Sequence, residues 1–356
     1  MRRRPVARPG EPPDPFDDTI PVEIAADATA SVLLASGEHH QVDDNPWRPV
    51  NRPTAADRTF RAICTGAAMI SLVIVAATLI FLLKEGWSAI WSSGPADFFF
   101  GSTWNPSAGR FGVGGLLLGT IIIASLAIVV AVPLGVGMAL FINEYAPARL
   151  RSLLTSVVDL LAALPSLIFG LWGFFVLQGQ LQGVAVWMES HLSAIPLFRF
   201  KGAEPSLGNS SFIAGMVVGI MILPIITSIS RDVMAQVPRE QCEGALALGG
   251  TRWGMIRAVI LPFGRVGITG ATLLGFGRAL GETIAVAVII SLVFDVNWHV
   301  LETGGGSVAS LIATRFGEAG PEELDGLIAA GFALFVLTLG VNLAARRIVA
   351  RAGRLA

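Results

Sequence analysis

Lysine is nearly missing from this chain: of 25 basic residues only Lys84 and Lys201 are lysines, the rest being arginine. There is one tyrosine, and the two cysteines, Cys64 and Cys242, stand far apart in unlike surroundings. That excludes a disulfide framework or a cysteine-based metal site, and both read as small buried or incidental thiols. The four histidines (His39, His40, His191 and His299) lie outside the apolar runs, and no H-E-x-x-H or zinc-ligand cluster occurs. A phosphate-cradling G-x-x-x-x-G-K-[ST] loop is absent too, because Lys84 follows Leu83 and Lys201 follows Phe200. The chain therefore carries no ATPase site of this kind, no metal site and no visible catalytic set, and is not read as an enzyme. Charge is also scarce. At 14% charged against 53% hydrophobic, with mean hydropathy +0.67, the composition excludes an ordinary soluble domain. The net charge of −1 sums over segments of opposite sign, and no nucleic-acid partner is expected.

What is present begins with a tail. Residues 1–57 hold nine of the 20 prolines and show little apolar periodicity. Such a segment buries too little apolar surface to offset its ordering entropy, so a disordered, cytoplasmic, proline-rich extension is expected. It has no 7–15-residue apolar core of a signal peptide. The remainder, 58–356, reads as one membrane domain. Crossing the hydrocarbon core takes about 20 predominantly apolar residues, and six runs qualify: 62–83, 113–142, 153–178, 211–230, 264–294 and 326–345. Thirteen arginines flank them on one side (Arg58, Arg61, Arg149, Arg151, Arg231, Arg239, Arg252, Arg257, Arg265, Arg346, Arg347, Arg351, Arg354). Only Lys84, Arg110, Arg199, Lys201 and Arg315 lie on the other. The positive-inside rule then puts both termini in the cytoplasm. Three runs contain an interior proline, Pro133, Pro165 and Pro224, each expected to shape its helix. Gly277 and Gly281 form a G-x-x-x-G pair suited to close helix contact.

The inner loop 231–265 is longer than its counterparts and is patterned. Pro238 can open a helix, "REQCEGALALGG" follows with Ala245 and Leu248 on one face, and Gly249-Gly250 suits a C-cap. A second helix, "RWGMIRAVILP", sets Trp253, Ile256 and Ile260 on one face, and Pro262 is expected to end it. Such a helix pair can dock into a groove on another protein or lie partnerless on the membrane surface.

The spacing of Glu243, Ala245, Gly249, Leu261 and Pro262 resembles the EAA motif (E-A-A-x₃-G-x₉-I-x-L-P) of bacterial ABC-importer membrane subunits. Gly244 stands where the motif has its first Ala, and Val259 where it has Ile. Together with "INEYAPARLR" (142–151), "LLAALPSLIFGLWG" (160–173) and "GRALGETIAV" (277–286), the chain from about residue 60 to 345 is similar to the PstC family of phosphate-importer permease subunits. The resemblance implies an all-α integral membrane fold of the type I ABC importer permease kind, with six transmembrane helices and a cytoplasmic coupling-helix loop. It implies no cofactor in this chain, ATP being bound by a separate ATPase subunit dimer (PstB-like) that docks on Glu243, Gly244, Ala245, Gly249, Leu261 and Pro262. Further implied partners are a second permease subunit (PstA-like), an extracytoplasmic phosphate-binding protein (PstS-like) facing loops 84–112, 179–210 and 295–325, and membrane lipid. The implied location is the bacterial inner membrane.

One feature of the apolar runs needs a functional reason. "GFGRALGETIAV" places Arg278 and Glu282 four residues apart inside the fifth run, where each charge costs on the order of 3 kcal/mol. A helix would set them on one face, and the pair could simply neutralise itself. The alternative is a path site: Arg278 offers its donor fork to an oxyanion, while Glu282 holds the guanidinium in the empty path or pairs with a partner subunit's arginine. Thr283 belongs to the same polar set, and Asp159 in the third run is a further candidate. Residue chemistry leaves sulfate, molybdate or an amino acid open as solute; only the resemblance favours phosphate. A gradient-driven secondary transporter would be expected to show internal repeats, and none is convincing here.

Overall fold

The computed structural model describes residues 54–200 and 208–354, the last seven by backbone alone. By internal contacts the chain divides into residues 1–67 and 68–356. Of the first unit only 54–67 are described, so the expected disordered tail lies almost wholly outside the described residues. Those residues begin helix α1 (Ala55–Ser93), where Thr54 Oγ1 accepts from the Asp57 amide and the Asp57 carboxylate accepts from the Thr54 amide. This reciprocal pairing satisfies donors that a helix start leaves open.

In the second unit, α1 runs on to Ser93 with the most apolar stretch of the helix unburied and only its far end held. There Gly86 lies against Ala329, 2.7 Å from the Cα as measured from an added Cβ, and Ala89 and Ile90 are buried. A short helix α2 (Pro95–Phe100) and a hairpin of β1 (Trp104–Asn105) and β2 (Arg110–Phe111) follow, registered Trp104 to Phe111. Among the described residues the regular structure is thus helical apart from this two-strand turn and isolated bridges, one joining Leu292 to Gly305.

Next come α3 (Gly114–Leu140), closing in a π-helical turn at Phe141–Tyr145, and α4 (Ala148–Ala162). Helix α5 (Ser166–Trp172) passes through a π-turn into α6 (Gln178–Leu192), and α7 spans Ser211–Met234. Then α8 (Arg239–Ala247) leads to α9 (Arg252–Met255), which continues through a π-turn at Ile256–Ile260 into α10 (Leu261–Leu280). The chain ends with α11 (Ile284–Ile289), α12 (Val308–Arg315) and α13 (Pro321–Arg354). Among the described residues six stretches are long and apolar enough to cross a membrane: Ala55–Ser93, Gly114–Tyr145, Ser166–Leu192, Ser211–Met234, Arg252–Leu280 and Pro321–Arg347.

Helix α7 is the hub, with 67% of its most apolar window buried against none for α1. Without a hydrophobic drive between helices in lipid, close approach comes from small residues. An added Cβ at Gly215 would stand 2.7 Å from Leu126 Cβ, and one at Gly219 3.1 Å from the Ala127 carbonyl, which fixes α3 against α7. Ile123, Phe169, Val217, Ile222 and Ile289 fill the central core around them. A second cluster at the other end of α13 joins Ile90, Phe98, Phe111, Leu116 and Leu327.

Two expected spans are redrawn. The run 153–178 is not one helix: α4 ends at Ala162 and Pro165 caps α5 from outside, so the crossing stretch is Ser166–Leu192. Proline lacks the amide a continuing helix needs and disfavours helical backbone in Leu164 before it. The run 264–294 likewise breaks. Its helix starts earlier, at Arg252, and stops at Leu280; α11 is a separate short helix whose Ala285, Val286 and Ile289 are buried in protein. Hydropathy alone does not distinguish lipid-facing from protein-buried apolar residues. Pro133 and Pro224 do lie inside helices, as expected.

Candidate functional site

Helices α10 and α13 bound a cavity of about 1210 Å³, with Ile225 of α7 at its back. From α10 and the turn after it come Gly270, Leu273, Leu274, Gly277, Arg278, Gly281 and Glu282; from α13 come Thr338, Leu339, Asn342, Leu343 and Arg346. Its rim is apolar and open, Leu274, Leu339 and Leu343 each being about half exposed or more (57%, 46% and 50%). Its charged members are Arg278, Glu282 and Arg346. Arg278 and Glu282 therefore do line one space, and the two arginines share it.

Their mutual geometry departs from the sequence expectation. The helix ends at Leu280 and Gly281 turns the chain (φ −94°, ψ 2°), so Glu282 is not one helical turn above Arg278. Among the described residues the ion pairs are Lys84–Glu85 and Arg231–Asp232, and neither involves this site. Glu282, buried at 6% exposure, instead accepts the amide of Ala285 at 3.3 Å, one of the donors that the first turn of α11 would otherwise leave open. The recorded partner of the Arg278 guanidinium is the Met221 thioether, 3.8 Å from Nη2. A thioether is a weak acceptor, so the donor fork is left free to meet an anion in the cavity.

The other expected members are elsewhere. Thr283 is half-buried and donates its hydroxyl to the Gly281 carbonyl at 3.1 Å, bracing the turn without lining the cavity. Asp159 lies exposed on α4, ahead of the crossing stretch and off the cavity. The G-x-x-x-G pair does not seat a helix of this chain closely: a Cβ at Gly277 would meet only Asn342 Oδ1 at 3.7 Å, and one at Gly281 only its own chain's carbonyls. The close seats on α7 are Gly267, 2.5 Å from Val233, and Gly275, 3.0 Å from Ile226 Cδ1. No motif marks Thr338 and Asn342 in the sequence, and Arg346 enters it only as a topology marker; the available signal is their spacing of four, two inside the last apolar run and one just past its end.

The second site is the loop between α7 and the fifth crossing stretch. Helix α8 begins after Pro238 and ends as expected. Gly249 is left-handed (φ +84°), the Gly250 amide reaches the Ala245 carbonyl at 3.2 Å, and the Gly249 amide reaches Leu246 at 3.0 Å. That is a Schellman closure, and glycine carries it because a side chain at that φ is strained. Glu243, Gly244, Leu248 and Gly249 face outward, Leu248 at 92% exposure, while Ala245 turns inward toward Met255 and Ile256. Leu248 thus does not share the inner face with Ala245. Trp253 is also 60% exposed, whereas Ile256 and Ile260 are buried.

Pro262 does not end its helix. The π-turn at Ile256–Ile260 carries the chain past the missing amide, with the Leu261 amide bonding back to Ile256, and α10 continues with Pro262 in its first turn. Leu261 packs on the small core of Ala139, Met234, Met255, Ile256 and Ile260. The turn after α3 ties this end together: Asn143 donates to the Arg231 carbonyl at 2.8 Å, and Arg252 to the Glu144 carbonyl at 3.4 Å. Burial pushes the Cys242 thiol pKa up, and the carboxylates of Glu144 and Glu243 push it further. A rigid, outward-facing helix seated on two crossing helices can pass a push from outside the membrane to both.

Comparison with known proteins gives concordant findings. The family described as binding-protein-dependent transport system inner membrane component matches residues 131–354. The phosphate transport system permease protein PstC 2 of Mycobacterium tuberculosis is 42% identical over 306 residues, covering 85% of this chain and 93% of that protein. PstC of Xylella fastidiosa is 36% identical over 304 residues, with 85% and 93% covered. Among solved structures, a chain of the bacterial alginate ABC transporter in complex with an alginate pentasaccharide-bound periplasmic protein superposes with a TM-score of 0.54 at 16% identity. It covers 86% of this chain and 98% of that one, a likeness of fold.

Proposed function

Since the chain belongs to the binding-protein-dependent transport system inner membrane components, and among them to the PstC phosphate permeases, we propose that it forms part of the path for inorganic phosphate in an ATP-driven importer. The observation that carries the reading is the free donor fork of Arg278 in a cavity bounded by crossing helices. A cation held on the wall of a groove raises the local concentration of an oxyanion, and the open, partly apolar setting keeps the binding weak enough for release. Hydrolysis is supplied in trans, since no Gly-Lys pair exists here to cradle a nucleotide phosphate.

The chain's own part is to receive motion at α8 and pass it through the Ile256–Ile260 turn to α10, which carries Arg278 near its far end. The arginine asymmetry supports cytoplasmic termini, and membership of the family supports an ATPase dimer on that side, a phosphate-binding protein on the other and a second permease subunit alongside. Residues 58–356 then make up the permease domain.

The test is radiolabelled phosphate uptake in cells lacking this gene, complemented with wild type or Arg278→Ala, with labelled sulfate in parallel. Wild type is expected to restore phosphate uptake only. Arg278→Ala, present at normal membrane levels, is expected to fall to background. Restoration of sulfate uptake instead would change the solute and keep the architecture. Full transport by Arg278→Ala would remove the path from this groove.

A further inference from the structure

We propose that Arg346 is a second cation of the anion path, reached from Arg278 through Asn342, so that α13 and not only α10 hands the solute toward the arginine-rich end. The inference rests on the transport reading above and gives a path role to Arg346, which charge patterning marks only for topology, and to Asn342, which no motif marks.

Three observations carry it. Thr338, Asn342 and Arg346 lie four residues apart on α13 and all line the cavity of Arg278 and Glu282. Four-residue spacing stacks side chains on one helix face, and at 1.5 Å per residue the stripe runs about 12 Å along the groove. The register across the groove is fixed by Gly277, whose missing Cβ would lie 3.7 Å from Asn342 Oδ1. Asn342 therefore stands opposite the residue next to Arg278, and Arg346 lies one turn nearer the Arg347 end of α13. Finally, Gly270 of the same wall is open, nothing lying within 4 Å of an added Cβ, so there is room beside the inner part of the groove.

The donors are not equivalent. Thr338 spends its hydroxyl hydrogen on the Phe335 carbonyl at 2.9 Å and presents only lone pairs, which do not attract an anion. Asn342 has an amide with two donors, and Arg346 has a guanidinium; Glu282, the sole carboxylate in the lining, is buried against Ala285. The working sequence is Arg278, Asn342, Arg346. Two cations with a neutral donor between them give several weak sites in place of one deep trap, which is what passage requires. The bland account of Arg346 is an inside-positive anchor that snorkels to the lipid headgroups. Arg347 is its built-in control: it is next in sequence, equally charged, and absent from the cavity lining.

The experiment measures initial rates of labelled phosphate uptake by the full chain with its partner subunits in membranes, normalised to the amount inserted. Arg346→Gln is expected to lower the maximal rate about ten-fold with little change in half-saturating concentration. Asn342→Leu is expected to lower it about three-fold, Arg346→Lys to retain a part, and Arg347→Gln to match wild type. Wild-type rates in Arg346→Gln, or an equal fall in Arg347→Gln, would overturn the proposal. Should Arg346→Gln fail to insert, Arg346→Lys and Asn342→Leu carry the test: both at wild-type rate overturns it. If the wild type imports sulfate and not phosphate, the solute assignment fails, and the same variants scored with labelled sulfate decide the relay independently.

Discussion

The groove and the docking loop solve opposite problems. In the groove a polar side chain is the expensive element, so function rests on what the side chains are: a guanidinium with a free fork, a carboxylate tied to Ala285, an asparagine across from Gly277. In the loop, polar side chains are cheap and water is close. Function there rests on shape, namely a nine-residue helix closed by a left-handed glycine and seated through Ala245 on a small apolar core. A substitution that removes charge should therefore be severe in one place and mild in the other. One that strains the backbone should show the reverse.

The largest effect expected from the loop is Gly249→Val. A β-branched side chain at φ +84° costs about 1–3 kcal/mol locally, and the Schellman closure would open to relieve it. Because α8 buries no residue of its own, the crossing helices should still form and insert. Uptake and co-purification of the ATPase subunit are both expected to drop about ten-fold or more, while Gly244→Ala, at a site with open space around it, should leave both near wild type. Equal tolerance of the two changes would show that α8 acts by composition and not by shape.

The contrast also explains which parts could be read in advance. The six crossings, the arginine asymmetry, the Pro238 start and the Gly249 closure all lie in local signals, where period, composition and φ preference suffice. The end of α4 turns on Pro165, which stands outside a helix where Pro133 and Pro224 stand inside theirs, and the isolation of α11 was hidden, since apolar residues facing protein look the same as those facing lipid. The Arg278–Glu282 spacing suggested an ion pair only because it assumed a helix that Gly281 ends. The α13 wall of the groove was hidden for a deeper reason. Which neighbour Arg346 and Asn342 face depends on packing between segments more than 60 residues apart, and no local pattern encodes that.

A smaller effect sharpens the groove side. Arg278 and Glu282 share the cavity without pairing, so their losses should not compensate. In a double-mutant cycle, Arg278→Gln with Glu282→Gln is expected to import no better than the worse single variant. Uptake recovering toward wild type in the double would reveal a mutual ion pair in some stage of transport.

The smallest expected effect belongs to the loop's charges. Cys242 is held with a raised pKa by burial first and by Glu144 and Glu243 second. Below that pKa the reactive thiolate is the minor form, and removing a neighbouring carboxylate increases it. With Cys64 replaced by serine, Glu243→Gln should speed maleimide labelling of Cys242 about two-fold at mildly alkaline pH. Glu243 is solvent-exposed, and water screens the interaction to a fraction of what the same charge would exert inside the groove. The increase should shrink further as salt is added. A salt-independent, much larger acceleration would mean that the carboxylate is desolvated against Cys242 and that the loop also works by buried charge, which would erase the distinction between the two sites.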